Sequence, residues 1–354
     1  MAIPRPKPPR SHALLGLVLW GVAAGHAWYD VPWARLWYYH LAWWGYIIFA
    51  DGLVKQRTGN SLLWDRQGAF AFMALASTTF WFFFELINLA ALNNWHYEGV
   101  ARITWLRWLG AHVAFATVLP GVLVTYELLT AWGVLGQVRV RPLGTDGPGQ
   151  RPCHGSQQGL LRPQPQPARL RPVAGTPPWY PGFLAIGGLM LLLPLLWPGL
   201  FFPLVWGALV FLLEPLNHRY GAPSLMRDWQ AGDLSVFCRL LLAGLICGLL
   251  WESQNFLSSA RWVYTLPWLN EPKLFAMPLA GYLGFPAFAV ECYVAMSSLS
   301  LLRGGRGWRA DDHRRATRPG WPAWSLALLA GAALAFNLAV LYLMDQRVVM
   351  SFGD

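Results

Sequence analysis

Long apolar runs separated by short polar or basic segments set the pattern of this chain. A membrane-crossing helix needs about 20 mostly apolar residues. Runs of that kind fall at 12–29, 33–54, 68–92, 109–135, 182–197, 199–216, 234–257, 274–302 and 321–344. The stretch 182–216 is too long for one ordinary span and holds Trp197-Pro198-Gly199, a turn signal, so it reads as a tight helical hairpin. The pattern predicts an all-α polytopic membrane protein of about nine transmembrane helices. A cleaved signal peptide is the other reading of residues 12–29, with Gly25-His26-Ala27 as a small-residue site. A retained first helix fits the repeat described below better.

Two stretches within those runs share an unusual grammar. WFFFELINLAALNNWHY (Trp81 to Tyr97) and LWESQNFLSSARWVY (Leu250 to Tyr264) each place a glutamate and an amide late in an apolar run, then a Trp-x-Tyr pair. Glu85, Asn88, Trp95 and Tyr97 match Glu252, Asn255, Trp262 and Tyr264 at a constant offset of 167. Earlier matches reinforce them. Trp44-Gly45, Phe49, Arg57 and Gly59 meet Trp206-Gly207, Phe211, Arg219 and Gly221 at offset 162. Asp51, Ser61, Leu62 and Asp65 meet Glu214, Ser224, Leu225 and Asp228 at offset 163. The expectation is two tandem four-helix repeats in parallel orientation, 1–135 and 182–302, joined by a linker at 136–181. A basic loop at 303–320 and a ninth helix with a short tail at 321–354 follow.

Composition fits a membrane protein. Only 12% of residues are charged, 55% are hydrophobic, and 22 are Trp. The net charge of +10 lies between the apolar runs, not on one basic face, so nucleic acid is not an expected partner. With the N-terminus inside, twenty Lys and Arg fall on cytoplasmic pieces and six outside. The positive-inside rule then gives N-in and C-out, fitting a bacterial-type inner membrane. The Pro-, Gly-, Gln- and Arg-rich linker has too few large apolar residues for a core and is expected to be disordered. The four cysteines show no metal spacing.

The candidate chemistry centres on the repeated acids. An ionisable group inside a span costs several kcal/mol unless paired or wet, and such groups usually face an interior cavity. Glu85 and Asn88 are three residues apart, as are Glu252 and Asn255, so each pair shares a helix face. Read functionally, the glutamates are an acid/base pair oriented by the amides; read structurally, the pairs glue helices together. Trp95, Tyr97, Trp262 and Tyr264 are expected to line the pocket or to form an interfacial aromatic belt. Glu127 and Glu291, in the helices that close each half, are further lining candidates. His40 and His112 fall at a similar depth, but no metal-binding spacing links them, and neither a metal nor a cofactor is expected. Asp51, Glu214 and the Asp65/Asp228 loops read either as a headgroup site or as helix caps. No phosphate loop, nucleophile elbow, HExxH or haem motif is present.

Asn88, Trp95, Tyr97, Pro120 and Glu127, with Asn255, Trp262, Tyr264, Pro286 and Glu291, together resemble part of the membrane carotenoid (lycopene) cyclase-type domain. That resemblance implies a duplicated helical domain acting on isoprenoid chains by acid chemistry. The family's paired Glu-Glu close after its Pro is replaced here by single acids at longer spacing. Three functions follow: an enzyme on a lipid or isoprenoid substrate, a secondary transporter or channel using the same carboxylates for protons or cations, or a membrane scaffold. Membrane lipids, and a hydrophobic small molecule as substrate, are the expected partners.

Overall fold

The computed structural model describes residues 11–29, 31–141, 175–268, 270–311 and 319–350. Most of the 136–181 linker (142–174), residues 312–318 of the basic loop and the start of the chain (1–10) lie outside the described residues.

The protein is mostly helical. The first part holds α1 (Ser11–Trp28), α2 (Pro32–Thr58), the single turn α3 (Leu62–Asp65), α4 (Gln67–Ile87), strand β1 (Trp95–Glu98), α5 (Thr104–Phe115) and α6 (Val118–Ala131). The second holds α7 (Trp179–Leu196), α8 (Pro198–Phe201), α9 (Ala208–Tyr220), α10 (Leu225–Gln230), α11 (Ser235–Leu257), strand β2 (Arg261–Tyr264), the small ribbon β3 (Lys273–Leu274) and β4 (Met277–Pro278), and α12 (Gly284–Ser300). Helix α13 (Ala323–Arg347) closes the chain.

Among the described residues, seven helical segments are long and apolar enough to cross a membrane: Gln67–Leu92, Thr104–Ala131, Trp179–Leu196, Pro198–Tyr220, Ser235–Leu257, Leu279–Arg303 and Ala323–Arg347. The chain does break at Trp197, between α7 and α8. Helices α1 and α2 fall outside the seven. In α2, Trp37, Tyr38, Tyr39, His40, Trp43, Trp44 and Tyr46 form a nearly continuous run of rings that hydropathy scales count as polar. The outer helices expose apolar side chains, including Leu184 and Leu189 on α7 and Leu328 and Leu334 on α13. Such stripes are costly in water and neutral against lipid chains.

Packing is close where small residues allow it. A Cβ on Gly16 would collide with the Phe49 backbone, so α1 and α2 can form their hairpin only with glycine there. Across the middle, Trp43 on α2 stacks on Trp251 on α11 at 5.3 Å and 12°. Tyr46 shares a 2.7 Å hydrogen bond with Thr125 on α6, which also meets Cys247 on α11. The two parts thus interlock through one continuous core.

The short loops after α2 and α9 are built alike. Gly59 and Gly221 end their helices in the left-handed conformation, at φ 76° and 75°. Asp51 accepts from the backbone N–H of Leu62 (2.7 Å) and Leu63 (3.3 Å) at the start of α3. Glu214 accepts from Met226 N–H (2.8 Å) and the Ser224 hydroxyl at the start of α10. Ser61 and Ser224 cap Trp64 and Arg227 N–H at 3.2 and 3.3 Å. Of the two readings of these acids, the geometry is that of helix caps.

Candidate functional site

The site lies at the end of the bundle opposite those caps. After Ile87 the helix widens into a π-helical turn, Asn88–Leu92, and Asn93 stops it at φ 51°, a left-handed value that Asn tolerates better than most residues. The chain then enters β1. Helix α11 ends at Leu257 and the chain enters β2. The strands pair antiparallel, with Trp95 opposite Tyr264, His96 opposite Val263, Tyr97 opposite Trp262 and Glu98 opposite Arg261. Alternation along a strand then sets Trp95, Tyr97, Trp262 and Tyr264 on one face of the ribbon. On its other face Arg261 lies 3.5 Å from Glu98. The segment after α13 joins the free edge of β1, where Tyr97 N–H donates to Val348 O (2.7 Å) and Met350 N–H donates to Tyr97 O (2.9 Å).

The four aromatic side chains meet two buried carboxylates. Glu85 accepts from Tyr97 Oη (2.5 Å), Trp81 Nε1 (2.8 Å) and Trp95 Nε1 (3.1 and 3.2 Å to its two oxygens). Glu252 accepts from Tyr264 Oη (2.7 Å), which itself accepts from Trp262 Nε1 (2.8 Å). Both glutamates are fully buried. Burial, and then the adjacent Glu85, pushes the Tyr97 phenol well above its usual range; burial and Glu252 do the same for Tyr264. Both phenols are therefore held as donors.

The amides do something other than orient the acids. Asn88 Nδ2 donates to Trp95 O (2.9 Å), and its Oδ1 accepts from Asn94 N–H (2.8 Å). Asn255 Nδ2 donates to Trp262 O (2.9 Å), and its Oδ1 accepts from Trp262 N–H (3.0 Å). Each Asn ties the last turn of its helix to the strand that follows. They place the Trp-x-Tyr pairs and so act on the glutamates at one remove.

Beneath the ribbon is a cavity of about 600 Å³. Its wall is overwhelmingly apolar and aromatic, and includes Trp81, Trp95, Trp206, Trp251, Trp262 and Phe288 together with Tyr97 and Tyr264. Glu85 and Glu252 are absent from the wall and stand behind the aromatic rings. Glu127 and Glu291 do not line it either. Glu127 forms a two-pronged ion pair with buried Arg66, 2.7 Å on each prong, and Arg66 also donates to Trp308 O. Glu291 accepts from Leu209 N–H (2.9 Å) and caps the start of α9. Both acids went to backbone and ion-pair partners that lie far away in sequence.

His40 does line the cavity and bonds Gly110 O at 2.9 Å; His112 bonds Trp108 O at 2.9 Å and is not in the wall. Among the described residues no three His, Cys, Asp or Glu side chains group so as to hold a metal ion. At the rim, Asp345 on α13 accepts both prongs of Arg107 (2.7 and 2.6 Å) and Trp108 Nε1 (2.8 Å).

Sequence reasoning gave Trp81, Trp206, Trp251 and Tyr39 no role in the site. Trp81 had a signal, since it stands one helical turn before Glu85. Trp206 had only its match to Trp44, and the break that brings it to the cavity, a 3₁₀ stretch at Phe202–Gly207, is tertiary in origin. Compared with protein-family models, curated proteins and solved structures, the chain matches none.

Proposed function

We propose that this protein is a multi-pass membrane enzyme that admits a lipid or isoprenoid chain to the cavity beneath the ribbon and acts on it by acid/base chemistry. The observation that carries the reading is the aromatic chamber of about 600 Å³ whose Tyr97 and Tyr264 phenols each donate to a buried glutamate. A volume of that order suits a small apolar ligand. An apolar wall gives binding without direction, and two hydroxyl–carboxylate pairs supply the polar chemistry at a fixed place. Tyr97 and Tyr264 would meet the substrate, Glu85 and Glu252 behind them would supply the acidic proton and the fixed carboxylate between them, and Asn88 and Asn255 would hold the ribbon in register. An isoprenoid is the substrate class implied by the carotenoid cyclase-type resemblance, and the wall's composition suits it.

The same reading takes the chain as a duplication with nine spans, α1 and α2 joining the seven apolar segments. The strand register supports this. Shifting by 167 turns the pair Trp95–Tyr264 into Trp262–Tyr97, which is also a pair of the ladder. A two-fold axis along the membrane normal, passing between His96 and Val263, produces that result. The N-terminus is then cytoplasmic, the ribbon and C-terminus are outside, and a bacterial-type inner membrane is the site.

One observation favours the transporter reading instead. The broken segment Phe202–Gly207 contributes Phe202, Pro203, Leu204, Trp206 and Gly207 to the cavity wall, and interrupted helices commonly flank transport sites.

The test is ligand retention. Protein purified in mild detergent is extracted and its bound lipids identified by mass spectrometry, beside an Ala287→Trp variant that fills the cavity. The expected result is an apolar molecule retained by the wild type and lost from the variant. Equal retention by both removes the cavity as the binding site. In cells, a Glu85→Gln/Glu252→Gln double variant with unaltered phenotype at normal abundance would remove the acid/base role.

A further inference from the structure

We propose that the two acids are unequal and that Glu252 holds the exchangeable proton of the site, while Glu85 is a fixed acceptor. The inference rests on the reading of the cavity given above. Both oxygens of Glu85 are met by donors: Tyr97 Oη, Trp81 Nε1 and Trp95 Nε1 on Oε1, and Trp95 Nε1 on Oε2. A proton on either oxygen would confront an N–H or O–H already aimed at it. At Glu252 only Oε1 is used, by Tyr264. Its Oε2 is buried and no protein donor reaches it.

The difference traces to named residues. Four positions before Glu85 stands Trp81, and four before Glu252 stands Gly248. The Phe285 ring packs so closely on Gly248 that no Cβ fits there, let alone an indole. The second indole is diverted as well. Trp95 donates to Glu85, but Trp262 donates to Tyr264 Oη. One acid thus has three side-chain donors and the other has one.

A buried carboxylate oxygen left without a donor carries its full desolvation cost, and more when the group is charged. An O–H on Oε2 removes that charge and creates a donor where no other donor competes. The titratable groups facing Glu252 from the surrounding elements are phenols, Tyr264 on β2, Tyr39 on α2 and Tyr282 just before α12, and the Trp262 indole on β2 stands close by. When the proton leaves, the Glu252 O–H bond breaks and its electron pair stays on the carboxylate; the proton reaches a basic atom of the bound ligand by way of the Tyr264 hydroxyl, which lines the cavity, gives up its own proton to that atom and takes the one from Glu252. Tyr264, backed by the Trp262 indole, then steadies the anion through Oε1.

The experiment is infrared spectroscopy of the full chain in lipid nanodiscs, titrated from mildly acidic to mildly alkaline pH and repeated in D₂O. The carbonyl stretch of a protonated carboxyl lies apart from the amide bands and shifts on deuteration. The expected result is a deuterium-sensitive carboxyl band that Glu252→Gln removes and Glu85→Gln leaves intact. Tyr264→Phe should shift that band and Tyr97→Phe should not, which covers the case of a Glu252→Gln variant that does not fold. A band lost in Glu85→Gln and kept in Glu252→Gln overturns the proposal, as does a band unchanged in Glu252→Gln and Tyr264→Phe. Ligand retention is measured separately. Retention lost by no cavity variant, with the Glu252 band present, would sink the cavity reading alone.

Discussion

Replacing each glutamate by leucine should separate the two sites by stability, with no substrate needed. Leucine is close in size, adds similar apolar burial at both positions, and accepts no hydrogen bonds. At Glu85 it leaves three donors without an acceptor: the buried Trp95 Nε1 and the half-buried Trp81 Nε1 and Tyr97 Oη. At Glu252 it leaves one, Tyr264 Oη. An orphaned buried donor costs about 1–3 kcal/mol. The two extra orphans therefore make Glu85→Leu less stable than Glu252→Leu by about 2–6 kcal/mol. Tyr97 can rotate away and recover part of that, so the lower end is the firmer expectation. The assay is unfolding in mixed micelles by SDS titration, followed through the abundant Trp fluorescence. Trp81→Phe in each background completes the case, since it should destabilise the wild type and be nearly silent in Glu85→Leu. If Glu85→Leu is as stable as Glu252→Leu or more so, the donor-counting argument for two unequal acids is refuted.

Three further outcomes follow from the same structure. Asn88→Ala and Asn255→Ala each remove two bonds to the adjoining strand and should cost about 1–3 kcal/mol. Because β1 and β2 pair, hydrogen exchange should rise over 95–98 and 261–264 together in either variant. Arg66→Ala or Glu127→Ala breaks a buried ion pair and should cost about 3–5 kcal/mol, while the double variant should cost clearly less than the sum, measured as a double-mutant cycle. Asp228, on the short helix α10, is pushed up to about 6 by burial and then by Asp233, against the pull of Arg309. The folded state then binds this proton more tightly than the unfolded chain, so the stability it contributes is present at low pH and lost as pH rises through about 6. Asp228→Asn should match the wild type in acid and exceed it above neutrality, read as a gap in thermal midpoint that opens with pH.

The apolar runs were legible because each is a local property of the chain. The break at Trp197-Pro198-Gly199 was legible for the same reason. The ribbon was not: the pattern predicts an all-α chain, Trp95-x-Tyr97 and Trp262-x-Tyr264 stand out only as aromatic pairs after a helix, and their pairing as strands depends on two segments far apart in sequence. Helix α2 was legible as the run 33–54, although hydropathy scales count its rings as polar; Trp43 and Tyr46 are buried against α11 and α6. The acids were legible as unusual and not as to their partners. Glu127 looked like a cavity residue and instead meets Arg66, 61 positions away. Glu291 looked alike and instead caps a helix 82 positions away.

From sequence alone came the long apolar segments, the recurrent Glu, Asn and Trp-x-Tyr sets, and the absence of familiar nucleotide and protease motifs. Those follow from neighbours along the chain, because helix formation and bilayer solvation act on contiguous residues. Tertiary structure decided the rest. It set β1 against β2, turned the asparagines toward backbone, closed an aromatic chamber beneath the ribbon, and gave Glu85 three side-chain donors and Glu252 one. Hydrogen-bond partners in a buried site are fixed by which helices meet and how closely. Gly248 under Phe285 shows it: one missing side chain lets a distant ring in and leaves a carboxyl oxygen without a donor.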